Sequence, residues 1–288
     1  MPWEWPVGAV CAFLLALVTT PAGVSGAVLL LPLQLSVLHV ASPAVTPTNL
    51  LFNVASTPGG LLRFSQEGRL VSPLARLLVT GTMPGVIAGA IIRVELLSGS
   101  RAFMFVAAGV LLPLGLWLIL GAQRIPRDRP TPSQHVRRLI WLLALIVGTI
   151  GGIYGIGGGS LLAPILLAAG FSAYEVAPAT IAATFLTSVV GIATYQVLQL
   201  TQGGAIAPEW VLGAWIGAGG FAGSYLGARL QRILPETSIR RLLGVIACLV
   251  AARYIQQAAP AERRSRPAPA ATRALGVVLA PHPAVRNY

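Results

Sequence analysis

Long uncharged stretches separated by short polar punctuation dominate this chain. No Asp, Glu, Lys or Arg occurs across residues 5–62, and further uncharged runs cover 77–92, 102–123, 139–174, 176–208 and 210–228. A membrane-spanning helix needs roughly 20 mostly apolar residues, and a charge at mid-bilayer costs roughly 2.5–3.5 kcal/mol on insertion scales. The pattern therefore predicts an all-α integral membrane protein with about eight transmembrane helices. Their expected extents are 7–20, 42–62, 73–92, 102–120, 139–153, 175–199, 206–230 and 238–256. The last is the least apolar, with Arg241 and Arg253 placed to snorkel to the interfaces.

A second periodicity lies over the first. Displacing the chain on itself by 132 residues sets Gly23, Gly26 and Pro32 on Gly155, Gly158 and Pro164. The same ungapped shift pairs Thr48 with Thr180, Ser56 with Ser188, Gly59 with Gly191, Gly81 with Gly213 and Gly85 with Gly217. A constant shift over three spans predicts a duplication. It gives two four-helix repeats, 1–123 and 139–257, joined by a polar Arg-rich linker over 124–138. Residues 258–288, rich in Ala, Pro and Arg, are expected to form a disordered basic tail.

Each repeat carries a Gly-rich interruption after its first span, read as a broken or re-entrant segment. The second-half version has six glycines within Gly151–Gly159; each weakens an ordinary helix by roughly 1 kcal/mol relative to Ala. In lipid, broken backbone is tolerated only where it is buried in protein or lines a wet cavity, and paired interruptions in two halves point to a transporter's site. Exposed amides and half-helix N-termini make an anion nest without a formal charge. The candidate substrate-binding residues are Gly23, Ser25 and Gly26 in the first break and Gly157, Gly158, Gly159 and Ser160 in the second. Thr48, Asn49 and Asn53 on the second span, and Thr180 and Thr184 on the sixth, add amide and hydroxyl groups. Tight helix packing is the alternative for the glycines, and helix capping by Thr46 ahead of Pro47 the alternative for that threonine. Gly81, Gly85, Gly89 and Gly219, Gly223, Gly227 recur at every fourth position and read as contact faces.

Composition narrows the function. Net charge is +12 and all basic residues are arginine, so a Walker A loop and Schiff-base chemistry, which need lysine, are excluded. The arginines gather at span ends, in the linker and in the tail, as the positive-inside rule expects, rather than in a nucleic-acid patch. Eight simple crossings nevertheless put Arg229, Arg232, Arg240 and Arg241 opposite the linker; either the rule fails there or the breaks alter the crossing count. Cys11 and Cys248 read as core residues, the three histidines lack metal spacing, and no cleavable signal peptide is expected. No cofactor or metal is expected. Gly23-Val-Ser25-Gly26 matches the GxSG string of rhomboid proteases, but no histidine on a neighbouring span serves as its base, and the lone aspartate, Asp128, rules out an aspartyl dyad. The chain is not expected to be an enzyme.

At these residues the chain resembles the TauE/SafE family, the sulfite exporter or 4-toluene sulfonate uptake permease family. The strings GGIYGIGGGSLLAPIL, SGAVLLLPLQLSVL, TPTNLLFN and PGGLLRF carry the resemblance, which spans about residues 10–255. It implies a multi-pass protein of the cytoplasmic membrane that carries small sulfur-containing anions. It also implies a functional role for Arg63, which the sequence allows as an anion gate or an interfacial anchor. With every carboxylate at a span end, in a loop or in the tail, potential-driven export is the expected mode. A non-transporting membrane assembly or chaperone subunit is the alternative. The expected partners are a small anion and the lipid bilayer, with no nucleic acid.

Overall fold

The computed structural model describes residues 4–36, 38, 40, 44–96, 108, 109, 112, 113, 115–117, 119, 120, 134–203 and 206–258. The tail and most of the linker lie outside them, as does much of the expected fourth span. Among the described residues the fold is all-helical: α1 (Glu4–Thr19), α2 (Ala27–Ser36), α3 (Val45–Gln66), α4 (Pro73–Glu95), α5 (Gln134–Tyr154), α6 (Gly158–Ala168), α7 (Ala173–Gln202), α8 (Trp210–Leu230) and α9 (Glu236–Ala258). They belong to one compact unit, Met1–Ala258.

Among the described residues four segments are long and apolar enough to cross a membrane: Glu4–Ala22, Pro73–Glu95, Gln134–Tyr154 and Ala173–Gln202. The α3 and α8 helices match them in length but are less apolar. Buried threonines and asparagines dilute α3, and glycines dilute α8. Both are sheltered by packing on each other and on α1 and α7. The α5 helix starts at Gln134, inside the segment expected to be loop, because its exposed polar first turns need only water around them. Thr46 does not cap α3. The helix begins one residue earlier, and the Thr46 hydroxyl points instead to the Ile153 carbonyl, 3.5 Å away.

Glycine seams fix the direction of each helix. Along α8, Gly219, Gly223 and Gly227 lie on the backbone of Ala9, Phe13 and Leu17, so α1 and α8 run parallel. Gly213 and Gly217 meet Leu51 and Ala55, which aligns α3 with them. Gly81, Gly85 and Gly89 seat on Ala144, Gly148 and Ile153, so α4 and α5 are also parallel. The α7 helix joins this second set, with Gly191 against Val86 and Gln202 reaching Glu95. Because Ile181 lies by Gly60 and Gly191 by Leu50, α3 and α7 are antiparallel. Thus α1, α3 and α8 point one way and α4, α5 and α7 the other.

The short helices reverse direction. After α1, α2 turns back until Leu38 reaches Gly8; after α5, α6 turns back past Gly148 and Thr82. The end of α3, the start of α5 and the α8–α9 junction consequently share one end of the bundle. Arg63, Arg69, Arg137, Arg138, Arg229, Arg232 and Arg241 collect there. The conflict over the arginines disappears once the two reversals are counted.

The seams are stringent because a side chain there meets backbone. A Cβ at Gly89 overlaps the Thr149 carbonyl, and one at Gly223 overlaps that of Phe13. Gly89→Val and Gly223→Val are each expected to destabilise the protein by at least about 1–3 kcal/mol. A lowered melting temperature of the detergent-purified protein reads this out; a wild-type value would show that the seams can spread freely.

Candidate functional site

Both interruptions are real departures from helix. The first follows the 3-10 turn Thr20–Ala22, which closes with Gly23 in the left-handed conformation at φ 76°. The second lies between α5 and α6, with Gly155 at φ 69° and Gly157 at φ 71°. An L side chain is strained at such angles. Space is also closed: a Cβ on Gly155 overlaps the Thr46 carbonyl, and one on Gly23 overlaps the Thr180 hydroxyl.

The breaks meet between α3 and α7. The Ser25 amide N–H donates to Ser160 Oγ at 3.2 Å, joining the first break to the first turn of α6. The Ser25 hydroxyl donates to Asn53 Oδ1 and accepts from the Ala27 amide at 3.2 Å, capping α2. Asn53 Nδ2 in turn donates to the Gly155 carbonyl at 3.4 Å, so one side chain of α3 ties the two breaks together. On the α7 side, Thr184 Oγ1 lies 3.3 Å from Ser160 Oγ. The Thr180 hydroxyl sits 2.8 Å from the Gly23 carbonyl and 2.8 Å from that of Val176, sharing one proton between them. Gly159 is pressed on the Thr180 carbonyl, and Gly158 donates its N–H to Thr187 Oγ1 at 3.2 Å. Ser25, Asn53, Ser160, Thr180 and Thr184 are all at most 2% exposed.

Other expected residues are placed differently. Asn49 shares the Asn53 face but binds the Ala27 carbonyl at 3.0 Å, holding the first turn of α2. Gly26 packs against the backbone of Ala16, 3.2 Å from where its Cβ would stand. Thr48 faces away from the breaks and accepts the Glu209 amide at 2.9 Å, at the start of α8. Arg63 belongs to a charge cluster at the arginine-rich end. There the buried Glu67 carboxylate lies 3.1 Å from Arg63 Nε, 2.7 Å from Arg69 Nη1 and 2.8 Å from Arg232 Nε. The Arg63 contact is one of charge rather than an aligned hydrogen bond. Arg69 also stacks 3.3 Å from the Tyr174 ring centre and binds Gln231, whose amide donates to the Pro21 carbonyl at 2.7 Å. The cluster is thereby tied to the first break.

Thr187, Tyr195 and Gln231 were not anticipated. On α7 the signal was present: 180, 184, 187, 188, 191 and 195 are small or polar and recur at helical spacing along one buried face. Nothing local marks Gln231. A cavity of about 20 Å³ touches Ser160, Thr19 and Pro164, room for about one water. A larger one of about 390 Å³ opens at the arginine-rich end, between Arg69, Arg137, Phe171 and Tyr174.

The chemistry available is donation from neutral groups. Amides, hydroxyls and the N-termini of α2 and α6 converge, and helix N-termini favour negative charge. The described carboxylates, Glu4, Glu67, Glu95, Glu175, Glu209 and Glu236, all sit at helix ends. Among the described residues no group of three or more His, Cys, Asp or Glu is placed to hold a metal ion.

Comparison with known proteins agrees with a membrane carrier. The chain is 23% identical over 256 residues to the "Probable membrane transporter protein YunE" of Bacillus subtilis (strain 168), covering 82% of this chain and 91% of that protein. No solved structure matches. The profile of the family described as "Sulfite exporter TauE/SafE" matches residues 8–254, from within α1 to within α9, and takes in both breaks. The chain belongs to the TauE/SafE family of membrane transporters.

Proposed function

We propose that this protein exports small sulfur-containing oxyanions, sulfite or sulfonates, driven by membrane potential, through a site formed where the two breaks meet. The contact from the Ser25 amide to Ser160 Oγ carries this reading: it brings both interruptions, and the helices that start from them, to one uncharged polar point. Sulfur oxyanions present several acceptor oxygens and no donor when ionised, which matches a lining of N–H and O–H groups. The family description supplies the substrate class.

In this proposal the chain forms eight spans as two inverted repeats, with α2 and α6 as re-entrant segments. The opposed directions of α1 and α5, α3 and α7, and α4 and α8 support the inversion. The arginine-rich end faces the cytoplasm by the positive-inside rule, with the Arg63–Glu67–Arg69–Arg232 cluster as the inner gate. The cavity of about 20 Å³ beside Ser160 is too small for an oxyanion, so in this proposal the breaks separate for an anion to enter.

Potential suffices as the driving force. Export of one negative charge gains about 2.3 kcal/mol per 100 mV, and twice that for a dianion corresponds to a gradient of more than about a thousandfold. Among the described residues every carboxylate stands at a helix end, so none is placed midway along a helix to relay a proton.

In proteoliposomes, sulfite flux is expected to follow an imposed potential; flux that follows only a pH gradient contradicts the mechanism. Ser25→Ala and Ser160→Ala, each removing one hydroxyl from the site, are expected to lower sulfite flux about tenfold at unchanged protein level. Wild-type flux in both variants would place the site elsewhere. Sulfite at about 100 times its Kd is expected to stabilise the purified protein by about 2.7 kcal/mol, whereas an absence of any anion-dependent shift in melting temperature counts against a sulfite site.

A further inference from the structure

Arginines near the ends of membrane helices normally lay their stems along apolar surface and carry the charged head to water. Arg76, Arg137, Arg229, Arg241 and Arg253 are exposed in this way. Arg93, in the last turn of α4, is not: it is 6% exposed and turned into the bundle. An ionisable group buried within a membrane segment is costly, and it marks a solute pathway more often than a structural contact.

The surroundings of Arg93 lead to the second break. Arg93 Nε donates to Thr46 Oγ1 at 3.4 Å, and the Thr46 hydroxyl donates to the Ile153 carbonyl at 3.5 Å, both at the long end for hydrogen bonds. The Thr46 carbonyl is packed on Gly155, whose own carbonyl receives Asn53. Tyr195, 1% exposed, closes the same region by donating to the Gly152 carbonyl at 2.9 Å. The guanidinium therefore stands beside the second break, at the end of the bundle opposite Glu67 and its three arginines. Along the bundle the polar groups stand in the order cationic cluster, neutral amide-and-hydroxyl groups, buried cation.

We propose that Arg93 is the specificity-determining cation of the outer half of the path, receiving the oxyanion as it leaves the neutral site between the breaks. The inference rests on the reading of the chain as an anion carrier. A guanidinium suits this role because its planar fork presents donors to two oxygens at once and stays charged at any physiological pH. At Nε an oxyanion would replace the 3.4 Å bond to the Thr46 hydroxyl with an ion-paired one, the stronger arrangement for a guanidinium.

Sulfite transport by the full chain in proteoliposomes tests this, comparing wild type with Arg93→Gln, Arg93→Lys and Thr46→Val. Arg93→Gln is expected to raise KM for sulfite about tenfold or more, with maximal rate and melting temperature close to wild type. Arg93→Lys, keeping the charge but not the fork, is expected to fall between the two. Thr46→Val, which removes the hydroxyl that Arg93 Nε meets, is expected to shift KM while the charge stays in place. A wild-type KM in Arg93→Gln overturns the proposal. So does a KM that moves only in step with a falling melting temperature, since that marks a structural arginine. If Arg93→Gln does not fold, the other two variants decide: a raised KM at normal melting temperature supports the proposal, and an unchanged KM in both overturns it. An absence of sulfite flux in the wild type defeats the carrier reading and this inference with it, whereas wild-type flux with indifferent variants defeats the role of Arg93 alone.

Discussion

Backbone amides and carbonyls removed from water must find partners inside the protein, and in a membrane no solvent makes up a shortfall. Two helix interruptions within one bundle raise that requirement twice. Here each interruption is satisfied largely by the other and by the two helices between them. Ser25 offers its amide to Ser160 and its hydroxyl to Asn53, Asn53 reaches on to Gly155, and Thr180 serves Gly23. The arrangement of α3 and α7 follows from this need. They carry hydroxyl and amide side chains on the faces turned to the breaks, and α3 is diluted in hydrophobicity for that reason.

The same constraint couples rigidity to movement. The outer seams, α1 on α8 and α4 on α5, are backbone-to-backbone contacts with little room for adjustment. The inner contacts combine hydrogen bonds at 3.2–3.4 Å with close approaches of Gly155 and Gly159 to the carbonyls of Thr46 and Thr180. A bundle built this way has two glycine-seamed pairs meeting at a polar joint. Hydrogen bonds exchanged at that joint cost little, whereas parting the seams costs packing along the length of a helix.

Much of the helical layout was legible in the sequence, since long uncharged runs have one economical solution in lipid. The glycine interruptions were legible too, as were the serine, asparagine and threonines that surround them. What escaped was relational. Thr48 looked equivalent to Thr180 by sequence shift, yet one caps the start of α8 and the other holds a break, because corresponding residues face different neighbours. The α5 helix outran its apolar stretch, since a helix continues into water at no cost to its backbone. Arg93 read as an ordinary span-end residue, for nothing in a one-dimensional pattern tells whether such a side chain turns outward or in. The Glu67 cluster was hidden similarly, assembled from Arg63 and Arg69 on one side and Arg232 from much later in the chain.

The modest hydrophobicity of α3 also bears on biogenesis. A helix that carries Asn49, Asn53 and a series of threonines partitions poorly into lipid on its own, and the helix that covers its glycines and small residues, α8, is made well over a hundred residues later. While the ribosome is still extending the chain, α3 has no final partner along that face. It must therefore wait beside the translocon or in a provisional pairing until the later helix emerges, so the order of synthesis, and not the hydrophobicity of each segment alone, governs how this bundle closes.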